Sequence, residues 1–237
     1  GLDAVMDSSY VDSLVQAYVS TNGMGGGCNL RFPEGIHGDP ITHSFNSVYT
    51  VPEGKNLYVL NLLTNATYTR IDGIGVRATY TNTALNADFN NVLIVGEQQT
   101  INTDDSDGSL VGLLVDKNIY AITHDLNQPY TVPEGKKLYV LNLLTNATYA
   151  RIDGVPVRAT YTNTALNADF NNVLIVGEGS VVNTDDSNGS FNGYLVDNDY
   201  FAGCGGASSS SPSGSAIDST AVAEMIANSG MGGACNY

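Results

Sequence analysis

Residues 41–97 read ITHSFNSVYTVPEGKNLYVLNLLTNATYTRIDGIGVRATYTNTALNADFNNVLIVGE, and residues 122–178 read ITHDLNQPYTVPEGKKLYVLNLLTNATYARIDGVPVRATYTNTALNADFNNVLIVGE. The offset is a constant 81 residues, and over 41–118 against 122–199 only 18 of 78 positions differ. Two copies this alike share a fold, so reading one decides both. Leu57 to Leu63 carries apolar residues on both faces, which suits a central strand covered on both sides. Ahead of it, Val51-Pro52-Glu53-Gly54-Lys55 supplies turn chemistry: proline presets its φ and glycine takes a positive one. Tyr68 to Ile71, Asp72-Gly73, then Ile74 to Val76 reads as a tight hairpin. Val92 to Val95 is a buried-type run, turned by Gly96-Glu97 into Thr100 to Asn102. A polar turn from Asp104 to Gly108 then precedes Leu110 to Val115. About seven or eight short strands, with turn signals roughly every ten residues, is the pattern of a sandwich.

The expectation is therefore an all-β chain with two near-identical tandem β-sandwiches, jelly-roll-like, flanked by short helices and Gly/Ser-rich segments. Residues 1–40 form an N-terminal helix and Gly-rich cysteine segment, 41–121 the first repeat and 122–202 the second. Residues 203–237 carry a Ser/Gly linker, a helix and a second Gly-rich cysteine segment. A module of about 80 residues buries only about 60% of its unfolded surface. Each copy gains by packing on its twin, and only Ile119, Tyr120 and Ala121 separate them.

The chain of 237 residues is 42% apolar, ample for real cores, and carries 9 Lys plus Arg against 24 Asp plus Glu, a net charge of −15. That balance argues against nucleic acid, whose phosphates need a basic face, and against anionic membranes. No stretch reaches the roughly 18 apolar residues of a membrane-spanning helix, so no membrane insertion is expected. The charge is spread along the chain. It keeps particles soluble and weakens self-association at low salt unless cations or directional contacts offset it. The sequence opens on Gly1, which reads as a processed or partial product and allows a removed secretion signal.

The two ends echo each other. Val11, Leu14, Val15, Tyr18 and Val19 trace one stripe of a helix, as do Ala221, Val222, Met225 and Ile226. Each helix runs into Gly-Met-Gly-Gly-x-Cys-Asn, at residues 23–29 and 230–236. A short amphipathic helix must bury its stripe. It packs on its own sandwiches, or it docks on the next molecule and so makes a head-to-tail contact. Val11, Leu14, Val15, Tyr18, Val222, Met225 and Ile226 are thus the assembly candidates. The serine-rich stretch 208–215 is a flexible linker that loosens the placement of the last helix.

The succession of Asp-Ser helices, Gly-rich Cys, Phe32-Pro33-Glu34-Gly35, Ile-Thr-His, Tyr-Thr-Val-Pro-Glu-Gly-Lys and Gly-[Leu/Tyr]-Leu-Val-Asp resembles tandem β-sandwich repeats. Such repeats occur in secreted, surface-associated proteins of Bacteroidota-type bacteria. The resemblance implies export and life at the cell surface, and it supplies no catalytic residues.

Cys28, Cys204 and Cys235 are an odd set. In an oxidising compartment one pair could close and the third join a neighbour, or the thiols stay free. His43 and His124 are repeat-equivalent and read as structural hydrogen-bonding residues. Asp104, Asp105 and Asp107, with Asp185 and Asp186 in the other copy, suggest a calcium loop, but the downstream bidentate acid is missing and a hairpin turn explains both stretches. Calcium is the one cofactor in view. Asn65, Asn146 and Asn188 open N-glycan sequons. Ser13 and Ser219 sit in Asp-Ser-x patterns like those of Bacteroidota O-glycosylation. No nucleophile elbow, phosphate loop or paired-acid motif occurs, so the chain reads as a non-enzyme. The expected function is a secreted structural subunit whose partners are copies of itself, assembled head to tail into a filament or surface layer. The alternative is a carbohydrate-binding or adhesin module that takes cell-surface glycans; the absence of Trp weakens it, as do strand tyrosines such as Tyr58 and Tyr68 that suit core packing.

Overall fold

The structure is a computed structural model that describes residues 29–64, 66–78, 85–86, 91–106, 108–145, 147–159, 166–168, 173–185 and 187–201. All lie in the first of two compact units, Gly1–Cys204; the second is Gly205–Tyr237. The two expected terminal helices, with every assembly candidate named above, lie outside the described residues.

The first repeat contains β1 (Asp39–Ser44), β2 (Tyr49–Thr50), β3 (Lys55–Thr64), β4 (Tyr68–Ile71), β5 (Ile74–Ala78), β6 (Leu85–Asn86), β7 (Leu93–Val95), β8 (Thr100–Thr103) and β9 (Ser109–Asp116). The second contains β10 (Tyr120–Asp125), β11 (Tyr130–Thr131), β12 (Lys136–Thr145), β13 (Tyr149–Ile152), β14 (Val155–Ala159), β15 (Leu166–Ala168), β16 (Leu174–Val176), β17 (Val181–Thr184) and β18 (Ser190–Asp197). No helix occurs among the described residues, and every strand pairing is antiparallel. The expected all-β tandem fold is what the chain adopts.

Each repeat is a two-sheet sandwich. In the first, one sheet runs β1-β9-β3, with β6 and β7 both on the far edge of β3, and the other runs β2-β8-β4-β5. The second repeat copies this order with β10-β18-β12-β15, where β16 also pairs with β12, and with β11-β17-β13-β14. The chain crosses from sheet to sheet at almost every connection and stays within one sheet only at the β4–β5 hairpin and between β6 and β7. That is the jelly-roll wind. The hairpin is made by Asp72 and Gly73, both with positive φ (50° and 80°), the two-residue turn whose twist matches its strands.

Between the sheets Phe45, Val51, Leu57, Val59, Leu62, Ile71, Leu93, Ile101 and Leu110 form the first core, and Leu126, Leu138, Val140, Leu143, Phe191 and Leu195 belong to the second. These are alternate residues of their strands, so half of each strand faces inward. Within β3 and β12 a bulge breaks the alternation, between Val59 and Asn61 and between Val140 and Asn142. The extra residue is Leu60 in one copy and Leu141 in the other, and both are aimed away from the sandwich core. The apolar run 57–63 was expected to be covered on both faces. That holds in β12, whereas in β3 Leu60 and Leu63 are exposed.

Candidate functional site

The second faces of the strands meet at a seam between the repeats. Tyr58, Val92, Ile94, Leu113 and Val115 from the first sandwich, Ile119 and Ala121 from the join, and Tyr139, Leu141, Tyr194 and Val196 from the second make a third buried cluster. Tyr139 and Tyr194 stack at 4.9 Å with an interplanar angle of 4°. Around this apolar centre, side-chain amides meet backbone. The Asn91 amide donates to the Leu141 carbonyl at 2.9 Å, and the Asn142 amide to the Val92 carbonyl at 2.8 Å. Asn192 binds Ile94 twice, accepting from its N–H at 3.0 Å and donating to its carbonyl at 2.8 Å. The Ser190 hydroxyl donates to the Gly75 carbonyl on β5. Strand β7 has a strand neighbour on one side only, so Asn192 satisfies backbone groups that an edge would otherwise leave open.

The seam is directional. The first repeat contributes β5, β7 and the outward side chains Tyr58, Leu113 and Val115 of β3 and β9, while the second receives β5 and β7 on the outer side of β12 and β18. Had the repeats met by a two-fold axis, β16 would sit on β3 in the same way. Instead Ile175, the equivalent of Ile94, is 51% exposed, and Leu60, the equivalent of Leu141, is 42% exposed.

A second construction closes one end of the seam. Phe32-Pro33-Glu34-Gly35 folds as a tight turn, with the Gly35 N–H bound to the Phe32 carbonyl at 2.9 Å. Phe32 packs edge-on against Tyr58, with ring centroids 5.5 Å apart. The Glu34 carboxylate accepts from the Asn56 amide (2.8 Å), the Tyr58 hydroxyl (3.0 Å), the Ile119 N–H (3.1 Å) and the Asn118 N–H. Burial raises the Glu34 pKa above the usual carboxylate value, while those four donors pull it down. Burial, with Glu34 beside it, likewise pushes the Tyr58 hydroxyl far above the ordinary tyrosine range. The same segment reaches the second repeat, because Tyr194 donates to the Leu30 carbonyl at 2.9 Å and Tyr200 to the Pro33 carbonyl at 3.1 Å. Residues 29–38 therefore clasp both sandwiches and the three-residue join, a role the sequence reading did not give them.

Other sequence candidates fall into structural positions. The His43 ring bonds the Ser47 carbonyl at 2.8 Å and the His124 ring the Gln128 carbonyl at 2.9 Å, each tying down the turn after its strand. Asp104 pairs with Arg70 and Asp185 with Arg151, bracing the hairpin turns they belong to, and Asp105 is exposed. Asp107 and Asp186 lie outside the described residues, among which no group of three His, Cys, Asp or Glu is gathered to hold a metal ion. Asn188 lies on an exposed turn; Asn65, Asn146, Ser13, Ser219, Cys28, Cys204 and Cys235 lie outside the described residues. Tyr58 is buried in the seam, and Tyr68 is half-buried with the Arg70 guanidinium 5.3 Å from its ring centre. A cleft of about 260 Å³ opens beside the join, lined by Lys117, Tyr120, Lys136, Asp197 and Tyr200 among others. Its lysines already serve acidic partners, Lys117 on Glu97 and Lys136 on Asp197. Among the described residues the seam is the most elaborate construction, and it is an interface rather than a cavity. Compared with known proteins, the chain matches no family model and no curated protein.

Proposed function

We propose that the chain is a non-enzymatic structural subunit that joins copies of itself head to tail, building an extracellular filament or surface layer. The observation that supports this reading is the directional seam. One repeat offers β5 and β7 and the other receives them on β12 and β18, so the two surfaces in contact are different parts of the same fold. A contact of that kind leaves one donor surface and one acceptor surface unused, and repeating it gives an open filament or a ring. Secretion, glycosylation and a cell-surface location fit the acidic, lysine-poor composition and the resemblance to surface-associated repeat proteins.

Sedimentation of the full chain over a wide concentration range at physiological salt tests the reading. Species growing past the dimer as concentration rises are expected. A chain that stays monomeric at the highest concentration overturns it.

A further inference from the structure

The exposed apolar residues of the body are not scattered. Nine large ones are exposed among the described residues, and six lie on two surfaces: Leu60, Leu63 and Val111 on the first repeat, Val155, Val157 and Ile175 on the second. Stepping five of them, all but Val157, by the 81-residue offset gives positions already in use at the seam. Leu60, Leu63 and Val111 correspond to Leu141, Leu144 and Asn192, which are 1%, 5% and 1% exposed. Ile175 corresponds to Ile94, which is 0% exposed in the seam, while Val157 corresponds to Val76, which is 3% exposed within the first sandwich core. Val155 corresponds to Ile74, which is half-buried beside the Gly75 carbonyl that Ser190 grips. One repeat has its acceptor side bare, and the other its donor side.

We infer that a second copy of this chain docks here, its Val155–Ile175 surface seated on the Leu60–Leu63–Val111 surface of its neighbour, so that the seam inside the molecule is repeated between molecules. This assignment rests on the self-assembly reading and adds which surfaces carry it. The polar fittings are in place as well. Asn61 stands where Asn142 does, ready to donate to the Val173 carbonyl of the next copy. Ser109 stands where Ser190 does, facing the position of the Pro156 carbonyl. The main-chain register is the same, since Ile175 lies opposite Tyr139 as Ile94 lies opposite Tyr58. The outward N–H and C=O of Ile175 meet no partner among the described residues, which leaves an edge strand open for addition. The Cβ that Pro156 adds is no obstacle: a Cβ built on Gly75 meets nothing closer than 3.5 Å. Besides the apolar exchanges of Ile74 for Val155 and Tyr194 for Leu113, and Gly75 for Pro156, the departure that removes hydrogen bonds is Val111, which stands where Asn192 makes its paired bonds to Ile94. The contact between molecules therefore lacks that amide and is weaker than the covalently joined seam, as suits a joint that assembles from separate chains.

The departure supplies the sharpest test. Val111→Asn restores the paired bonds and is expected to lower the concentration needed for association about tenfold. Leu60→Glu with Leu63→Glu blanks the acceptor surface, and Val155→Glu with Ile175→Glu blanks the donor surface; all four side chains are exposed in the single molecule, and thermal unfolding checks that each variant is folded. Each blanked variant alone is expected to stay monomeric where the parent chain associates. Mixed one to one, they are expected to give one heterodimer and nothing larger, because each retains the surface the other lacks. If both folded variants assemble as the parent does, or Val111→Asn leaves association unchanged or weaker, this docking is overturned while the self-assembly reading stands, its contacts lying elsewhere. If the parent chain never associates, both fall.

Discussion

At the scale of single residues the molecule depends on a few atoms with no room to move. The Cβ of an alanine at Gly193 would lie 2.0 Å from the Tyr139 carbonyl oxygen, and at Gly112 it would lie 2.6 Å from Leu57 Cδ1 and 2.8 Å from the Tyr58 carbonyl oxygen. These glycines let the central strand of each sandwich pass close to its neighbour just beside the bulge. Gly193→Ala is expected to cost roughly 1–3 kcal/mol, read as a lower urea midpoint with unchanged slope. Glu34 is the other such residue. Its pKa is raised by burial above the ordinary 4.5, so folding favours the protonated acid. The stability this contributes is complete below pH 4.5 and is lost as the pH climbs through the raised value. The thermal midpoint of the parent chain, taken relative to Glu34→Gln, is therefore expected to fall as the pH goes from about 4 to about 8. A difference that stays flat or rises contradicts the assignment.

Among elements, the hairpin of β4 and β5 is stapled by its own turn. Asp72 has φ 50° and Gly73 φ 80°, and the Asp72 carboxylate accepts from the Thr100 N–H at 2.8 Å, tying the turn to β8. In the other copy Asp153 does the same with the Val181 N–H at 2.8 Å, and that bond, with a second from Ser180, holds the Asp153 pKa below its usual value. Gly73→Ala keeps the space but pays the left-handed backbone penalty, so about 1 kcal/mol of stability is expected to go, measured by chemical denaturation. This turn was legible in the sequence because Asp-Gly between two apolar runs has one favoured backbone solution. The strands β3, β5, β7, β8 and β9 were legible too, since their composition and turn residues agree. What stayed hidden is what depends on distant partners. Nothing local tells that Leu141 is covered and the identical Leu60 is not, because neighbours about 50 residues away, at Asn91 and Val92, decide it. The clasp of Glu34 was equally silent: Pro-Glu-Gly occurs three times in the chain, and only here does the glutamate turn inward, toward Asn56, which Lys137 replaces in the other copy. The calcium reading at the Asp104 stretch came from its run of oxygen-bearing side chains, and that local run did not reveal that Asp104 meets Arg70, 34 residues earlier.

For the whole molecule, two forces oppose each other. A net charge of −15 pushes copies apart over a distance that shrinks with added salt, while on the proposed docking the bare apolar surfaces of the two repeats draw them together. Raising ionic strength from about 0.01 M to about 0.15 M shortens the screening length from about 30 Å to about 8 Å. Light scattering is accordingly expected to show larger assemblies at the higher salt. Smaller ones would mean that ion pairs, not apolar contact, join the chains. A tandem duplication whose copies meet through unlike surfaces leaves one spare half of that contact on each repeat, and the proposed joint between chains uses both. Electron cryomicroscopy of the full chain at physiological salt addresses this most directly. The account predicts rings or filaments in which sandwich follows sandwich with one rise and one rotation, the same across joints within a chain and between chains. Closed pairs joined through like faces, or separate single chains at the same concentration, would contradict it.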